Sequence, residues 1–142
     1  MYPHILLSVD LGQPESQRKA VEVAVAQAKA FGSVLHVVTV VPDFGLSIVG
    51  GFFPKDQEQL ALEHARKALH DYTAEHIPAG IQVQHIVGHG RPYEEILRYA
   101  RELGIDLIVM ASHHPGLQDY LLGPNSARVV RHAACSVLVV RD

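Results

Sequence analysis

Asp106-Leu-Ile-Val-Met-Ala-Ser-His-His-Pro-Gly-Leu-Gln-Asp-Tyr-Leu-Leu-Gly-Pro-Asn-Ser-Ala-Arg-Val-Val-Arg-His-Ala-Ala-Cys-Ser-Val-Leu-Val-Val140 decides the fold. Leu107 to Met110 is apolar without alternation, the composition of a strand buried on both faces, as parallel sheets require. A loop with glycines and prolines follows, then a helix that starts near Gly123 and is firm from Ser126 to Ala133, then a strand over Val137 to Val140. A strand end leading through a loop into a helix start aims the first helix amides at whatever lies beyond the strand, a ready anion site.

The rest of the chain repeats this alternation. Ile5 to Val9 is an apolar run ending at Asp10, Val34 to Val41 is another, and Ile81 to Val87 is a third. Between them, Val21, Ala24, Val25 and Ala28 form an apolar stripe on a helix from about Ser16 to Phe31, with Gly32 placed as a left-handed cap. Ala61, Ala65, Ala68, Leu69 and Tyr72 share a face of a helix from about Lys55 to Ala74. Pro92 suits a first helical turn, Ile96, Tyr99, Ala100 and Leu103 carry the stripe behind it, and Gly104 ends it. Phe44 to Phe53, bounded by Pro42 and Pro54, reads as a loop or lid.

Strand and helix in regular alternation imply right-handed crossovers and a parallel sheet covered on both faces. Spacing alone does not fix the strand order. Doubly wound open sheets of this kind bind ligands at the carboxyl ends of strands where the order reverses, which directs attention to Asp10, the end of the second strand and the loop after Met110.

Composition narrows the function. The 142 residues, 48% of them hydrophobic, suit a single domain over 1–142 with its own core. Twelve Lys and Arg against fifteen Asp and Glu give a net charge of −3 with no basic run, so a non-specific nucleic-acid face is not expected. No apolar stretch approaches the ~20 residues of a membrane span and the N-terminus lacks a basic leader region, so no membrane partner and a cytoplasmic location are expected. Cys135 is the one cysteine, which leaves no internal disulfide and no cysteine-based zinc site.

Ten histidines invite a metal hypothesis that spacing does not support. His64, His70 and His76 fall about 240° apart in steps on a helix, not on one face. His113 and His114 are adjacent, with no third ligand at a matching short spacing, and suit phosphate better than a metal. His36 reads as a satisfied strand histidine, and His132 falls at a helix C-terminus.

Taken together, several segments resemble the universal stress protein family over nearly the whole chain. They are the opening strand ending in Asp10, Leu35-His-Val-Val38, Val87-Gly88 with Pro92 and Glu95-Ile96 beyond it, Asp106 to His113, and the closing Leu-Leu-Gly-Pro-Asn-Ser and Arg-Val-Val-Arg-His-Ala. The resemblance implies an α/β fold, an open five-stranded parallel sheet of order 3-2-1-4-5 with helices on both faces, of the adenine nucleotide alpha hydrolase-like kind. Nucleotide-binding members share a Gly-x2-Gly-x9-Gly-Ser/Thr loop, whose glycines let backbone amides approach phosphate oxygens. This chain departs from it. Ala111 and His114 stand at the first two glycine positions, the loop is one residue shorter before Gly123, and Pro124 replaces the Ser or Thr. The shortened loop is similar to the F/G-type branch of the family.

What the resemblance implies for the site is an adenine nucleotide, ATP or ADP or AMP, with Mg²⁺ riding on its phosphates. Asp10 takes the adenine and ribose side, Val37 a backbone contact to adenine, Met110 a flank of the base, and Gly88 the turn beside the ribose. Ala111, His113, His114, Gly123, Asn125 and Ser126 fall on or beside the phosphate loop, and Ser8 stands where many relatives carry proline. The resemblance also implies a homodimer in which Val137 to Val140 pairs antiparallel with its mate. The sequence carries neither a P-loop lysine nor an evident arginine finger, so fast hydrolysis is not expected and the chain reads as a regulator or binding module before a nucleotide hydrolase or transferase. The alternative is a dimeric interaction protein of the same fold that has lost nucleotide and works through Phe44 to Phe53.

Overall fold

A computed structural model describes residues 1–42, 55–112 and 123–141. The expected loop or lid at Phe44 to Phe53, and His113 and His114, lie outside the described residues. Strands β1 (His4–Ser8), β2 (Val34–Val41), β3 (Val83–His89), β4 (Leu107–Ala111) and β5 (Ser136–Val140) alternate with helices α1 (Arg18–Phe31), α2 (Lys55–His76), α3 (Pro92–Glu102) and α4 (Pro124–His132). All four pairings are parallel, and the sheet order is β3-β2-β1-β4-β5. The order implied by the family resemblance is therefore the observed one.

Period-two alternation divides the core between the two sides of this sheet. Ile5, Leu7, Leu35, Val37 and Val109 point to one side, where Ala20, Val21, Ala24 and Ala28 of α1 and Leu69 and Tyr72 of α2 cover them. Leu6, Val38, Ile86, Ile108 and Met110 point to the other, under Ile96 and Leu97 of α3 and Val129 of α4. A strand that feeds two cores cannot alternate apolar with polar, and this is why β1 and β4 read as unbroken hydrophobic runs.

Element ends shift by a residue or two, each for a local reason. β3 begins at Val83 and runs to His89 because its partner β2 extends to Val41, and the register carries Leu35↔Val83 through to Val41↔His89. The helix expected from Ser16 is a 3-10 turn over Pro14–Gln17 before α1 proper. Gly32 caps α1 at φ 64°, the left-handed conformation expected of it. α4 starts two residues before Ser126, with Pro124 in its first turn, where a missing N–H costs the helix nothing. Among the described residues no helix is long and apolar enough to cross a membrane.

Candidate functional site

β2 and β3 run outward from one side of β1, and β4 and β5 from the other, so the chain's crossovers diverge between β1 and β4. Divergent crossovers leave a crevice at the carboxyl ends of those two strands. A cavity of about 600 Å³ lies there, a volume in the range of small-molecule sites. Ser8, Val9 and Asp10 enter it from the end of β1, Met110 and Ala111 from β4, Val40 and Pro42 from β2, and Gly123 to Ser126 from the start of α4. Gln13, Ser16 and Gln17 close it on the loop after β1.

α4 is held to the sheet end by one buried bond. The Ser126 hydroxyl donates to the Ala111 carbonyl at 3.0 Å, and Ser126 is buried. Gly123 delivers the chain into the helix at φ 83°, ψ 157°, a conformation other residues adopt only with strain. Its carbonyl accepts the Ala127 N–H at 3.0 Å, the first helical bond of that turn. The Asn125 and Ser126 amides precede that bond, so helix geometry gives them no acceptor within the helix. Pro124 between them and Gly123 has no N–H to offer.

On the opposite wall, Asp10 is exposed, and its Oδ1 accepts the Gly12 N–H at 2.9 Å in a local turn. The remaining carboxylate oxygen is free of that turn and suits hydroxyl donors or a cation. Val9, Val40, Ile96 and Met110 supply apolar surface between these polar walls. Among the described residues no Lys, Arg or His lines the cavity, so on these walls positive potential comes from the amino end of α4. The crevice thus combines an apolar slot, one carboxylate and a turn of oriented amides, which fits a flat apolar base carrying hydroxyls and an anionic group.

Seven of the residues expected at the site come together here: Ser8, Asp10, Met110, Ala111, Gly123, Asn125 and Ser126. Two lie apart from the lining. Val37 has no exposed surface and sits three residues inside β2, where Leu7 and His85 are its register partners, while Val40 reaches the cavity instead. Gly88 pairs with Val40 but lies against Tyr99 and Glu95 of α3, whose atoms come within 3.3 and 3.4 Å of where its Cβ would stand. Gln13, Ser16 and Gln17 escaped the sequence reading because they belong to an irregular turn with no periodicity. A polar run just after an apolar strand that ends in Asp is the signal that points to them.

The perturbed titrations belong to the scaffold. Burial pushes the His36 imidazole below its ordinary range, against a hydrogen bond with Gln84 that favours the charged form. His85, bonded to the Thr73 hydroxyl at 2.6 Å and stacked on His70, is pushed down by burial and by that neighbour. Among the described residues no group of three metal-ligating side chains converges.

The model of the universal stress protein family matches residues 1–141. Universal stress protein G of Shigella flexneri is 33% identical over 147 residues, covering 99% of this chain and 100% of that protein. The solved structure of MJ0577 of Methanocaldococcus jannaschii superposes with a TM-score of 0.74 at 28% identity, over 100% of this chain and 97% of that one. A universal stress protein solved in complex with cAMP (TM-score 0.64, 22% identity, 99% and 97% covered) has the same fold. So does one from Archaeoglobus fulgidus solved with dAMP (TM-score 0.64, 20% identity, 97% of each covered).

Proposed function

The chain belongs to the universal stress protein family, and from that premise we propose that it binds an adenine nucleotide, ATP or its ADP and AMP relatives, between the carboxyl ends of β1 and β4. The observation that carries this reading is the cavity of about 600 Å³ at the reversal of strand order, with Asp10 on one wall and the first turn of α4 on the other. Same-fold relatives solved with cAMP and dAMP support adenine as the base. The phosphates would take the Asn125 and Ser126 amides, and the sugar hydroxyls the Asp10 carboxylate. A single carboxylate beside a phosphate site suits Mg²⁺, which binds through one or two carboxylates plus phosphate oxygens and keeps most of its waters. Bound there, the ion would neutralise phosphate charge that no basic side chain of the described lining meets.

Among the described residues no lysine or arginine of the lining is positioned to drive phosphoryl transfer, so we read the protein as a nucleotide-binding module in the stress response, with slow turnover at most. It works as a two-fold dimer through β5. Ser136 N–H and Val140 C=O bond toward β4, so parity turns the amides of Val137 and Val139 outward along the sheet edge. An apolar edge with unpaired amides favours pairing with a second copy.

Pro124 favours a second reading, a family member that works by protein contact without nucleotide, since it removes a donor from the turn that would meet phosphate. Mass spectrometry of small molecules released from gently purified, then denatured protein separates the two. Release of ATP, ADP or AMP supports nucleotide binding; an empty protein whose melting temperature does not respond to added ATP or AMP supports the second.

A further inference from the structure

In the wall of the crevice opposite α4, one buried side chain bonds three residues. Gln17 is only 5% exposed, and both its amide protons and its carbonyl oxygen are engaged within the loop. Oε1 accepts the Asp10 N–H at 2.6 Å. Nε2 donates to the Gln13 carbonyl at 2.8 Å and to the Ser16 hydroxyl. The Ser16 hydroxyl donates to that same Gln13 carbonyl at 2.8 Å, and the Gln13 N–H donates back to the Asp10 carbonyl at 3.1 Å. Asp10, Gln13 and Ser16 all face the cavity, so one buried amide joins three of its polar lining residues.

Local turn bonds also shape this loop, the Gly12 N–H to Asp10 Oδ1 at 2.9 Å and the Gln13 N–H to the Asp10 carbonyl at 3.1 Å, but Gln17 is what bonds the Asp10 N–H. Residues 10–13 lie between Val9, whose N–H still bonds the Val38 carbonyl at 2.9 Å, and the 3-10 turn that begins at Pro14, so no ladder or helix fixes them. A buried primary amide with two donors and an acceptor in one plane can bond groups on both sides of a turn, which a hydroxyl or an apolar side chain cannot do. Its burial also makes the arrangement all-or-none, because any partner lost leaves a buried polar group unpaired.

We propose that Gln17 is a positioning residue of the nucleotide site, setting the backbone of Asp10 and the loop behind it so that the Asp10 carboxylate meets the ligand. The proposal rests on the reading of the crevice as a nucleotide site. Gln17 acts through Asp10, Gln13 and Ser16, so its removal shows first in their order and only then in affinity.

Two variants and two readouts test it. Gln17→Met keeps length and volume and removes all three bonds. Exchange of the Asp10 amide rises by about tenfold or more, while the Val9 amide, held by the Val38 carbonyl at 2.9 Å, keeps its wild-type protection. Calorimetry with AMP and with ATP gives a Kd weakened by about five- to twentyfold. Gln17→Glu adds a chemical rescue. At pH 8 its carboxylate retains an acceptor for Asp10 but has no donor, and burial keeps its proton to higher pH than a free glutamate. Toward pH 5 the neutral acid regains one donor, so the ratio of variant to wild-type Kd shrinks as pH falls. A lowered melting temperature with wild-type Kd in both variants, or an unchanged Asp10 amide in Gln17→Met, overturns the proposal. If Gln17→Met does not fold, the pH series of Gln17→Glu decides. A wild type that binds neither nucleotide defeats the reading of the crevice, and the Asp10 exchange rate still decides whether Gln17 sets the loop.

Discussion

Replacing Pro124 by Ser changes two quantities in opposite directions, and the structure gives the size of each. Pro124 occupies the first turn of α4, is exposed, and follows Gly123, whose carbonyl already bonds Ala127. A serine there brings an N–H that the helix cannot use, beside the Asn125 and Ser126 amides and facing the crevice. Against a phosphate oxygen that donor adds a net ~0.5–1.5 kcal/mol, or about a two- to tenfold lower Kd for ATP. The serine frees a backbone angle that proline held fixed, which costs about 0.4–1 kcal/mol of folding stability. For a chain of this length that lowers the melting temperature by about 1–4 °C. Pro124→Ser is therefore expected to bind ATP more tightly while melting earlier. Calorimetry with ATP and with adenosine, alongside thermal denaturation of the unliganded protein, measures both. Adenosine is the control, since it lacks the group the new amide would meet and its affinity stays at the wild-type value. ATP affinity that is unchanged or weaker, or an equal gain for adenosine, refutes the placement of phosphate on the first turn of α4.

The other predictions use separate parts of the molecule. Gly123→Val forces a branched residue to φ 83°, a strain of about 1–3 kcal/mol; nucleotide affinity drops tenfold or more while circular dichroism still shows a folded chain, and wild-type affinity would count against the site. Ser126→Ala removes the bond from α4 to the Ala111 carbonyl and costs about 1 kcal/mol in a denaturant titration, with little change in the m-value. Val139→Pro deletes an outward amide of β5, a substitution that edge strands tolerate; sedimentation is expected to show a dimer for the wild type and a monomer for the variant, and a variant dimer removes β5 from the interface. Buried His36 and partly buried His85 bind protons less readily than in the unfolded chain. Stability is therefore full above about pH 6.5 and falls as pH drops from there toward their lowered folded values. His36→Gln with His85→Gln flattens melting temperature between pH 7.5 and 5. Glu95, held low by Arg98, acts in a separate window, contributing above about pH 4.5 and losing its contribution as pH falls through its depressed value.

Which parts of this site a sequence discloses follows from what fixes each residue. Asp10, Met110 and Ala111 were legible because a strand buried on both faces announces its own end, and in a doubly wound sheet that end is where ligands bind. Gly123 and Ser126 were legible because a strand, a loop and a helix in that order put the helix start at the same edge. Val37 was placed by the resemblance and not by this reasoning. The resemblance implies a backbone contact there; Val37 lies four residues before the end of β2 at Val41, and the lining of the cavity takes Val40 and Pro42 from this side. The end of β2 at Val41 was itself legible in the apolar run Val34 to Val41, but which of its residues reaches the rim depends on its register with β1 and β3, a tertiary property. Gln17 shows the limit of periodicity. It stands where a helix stripe begins and reads as an ordinary polar residue, because its burial comes from a turn folding back on itself. Nothing in periodicity separates a glutamine facing water from one with both amide protons and its oxygen engaged. A polar residue within a few positions of a strand-end carboxylate in such a fold is therefore a candidate for holding that carboxylate, and Asp10 with Gln17 is the pair in which to test the rule.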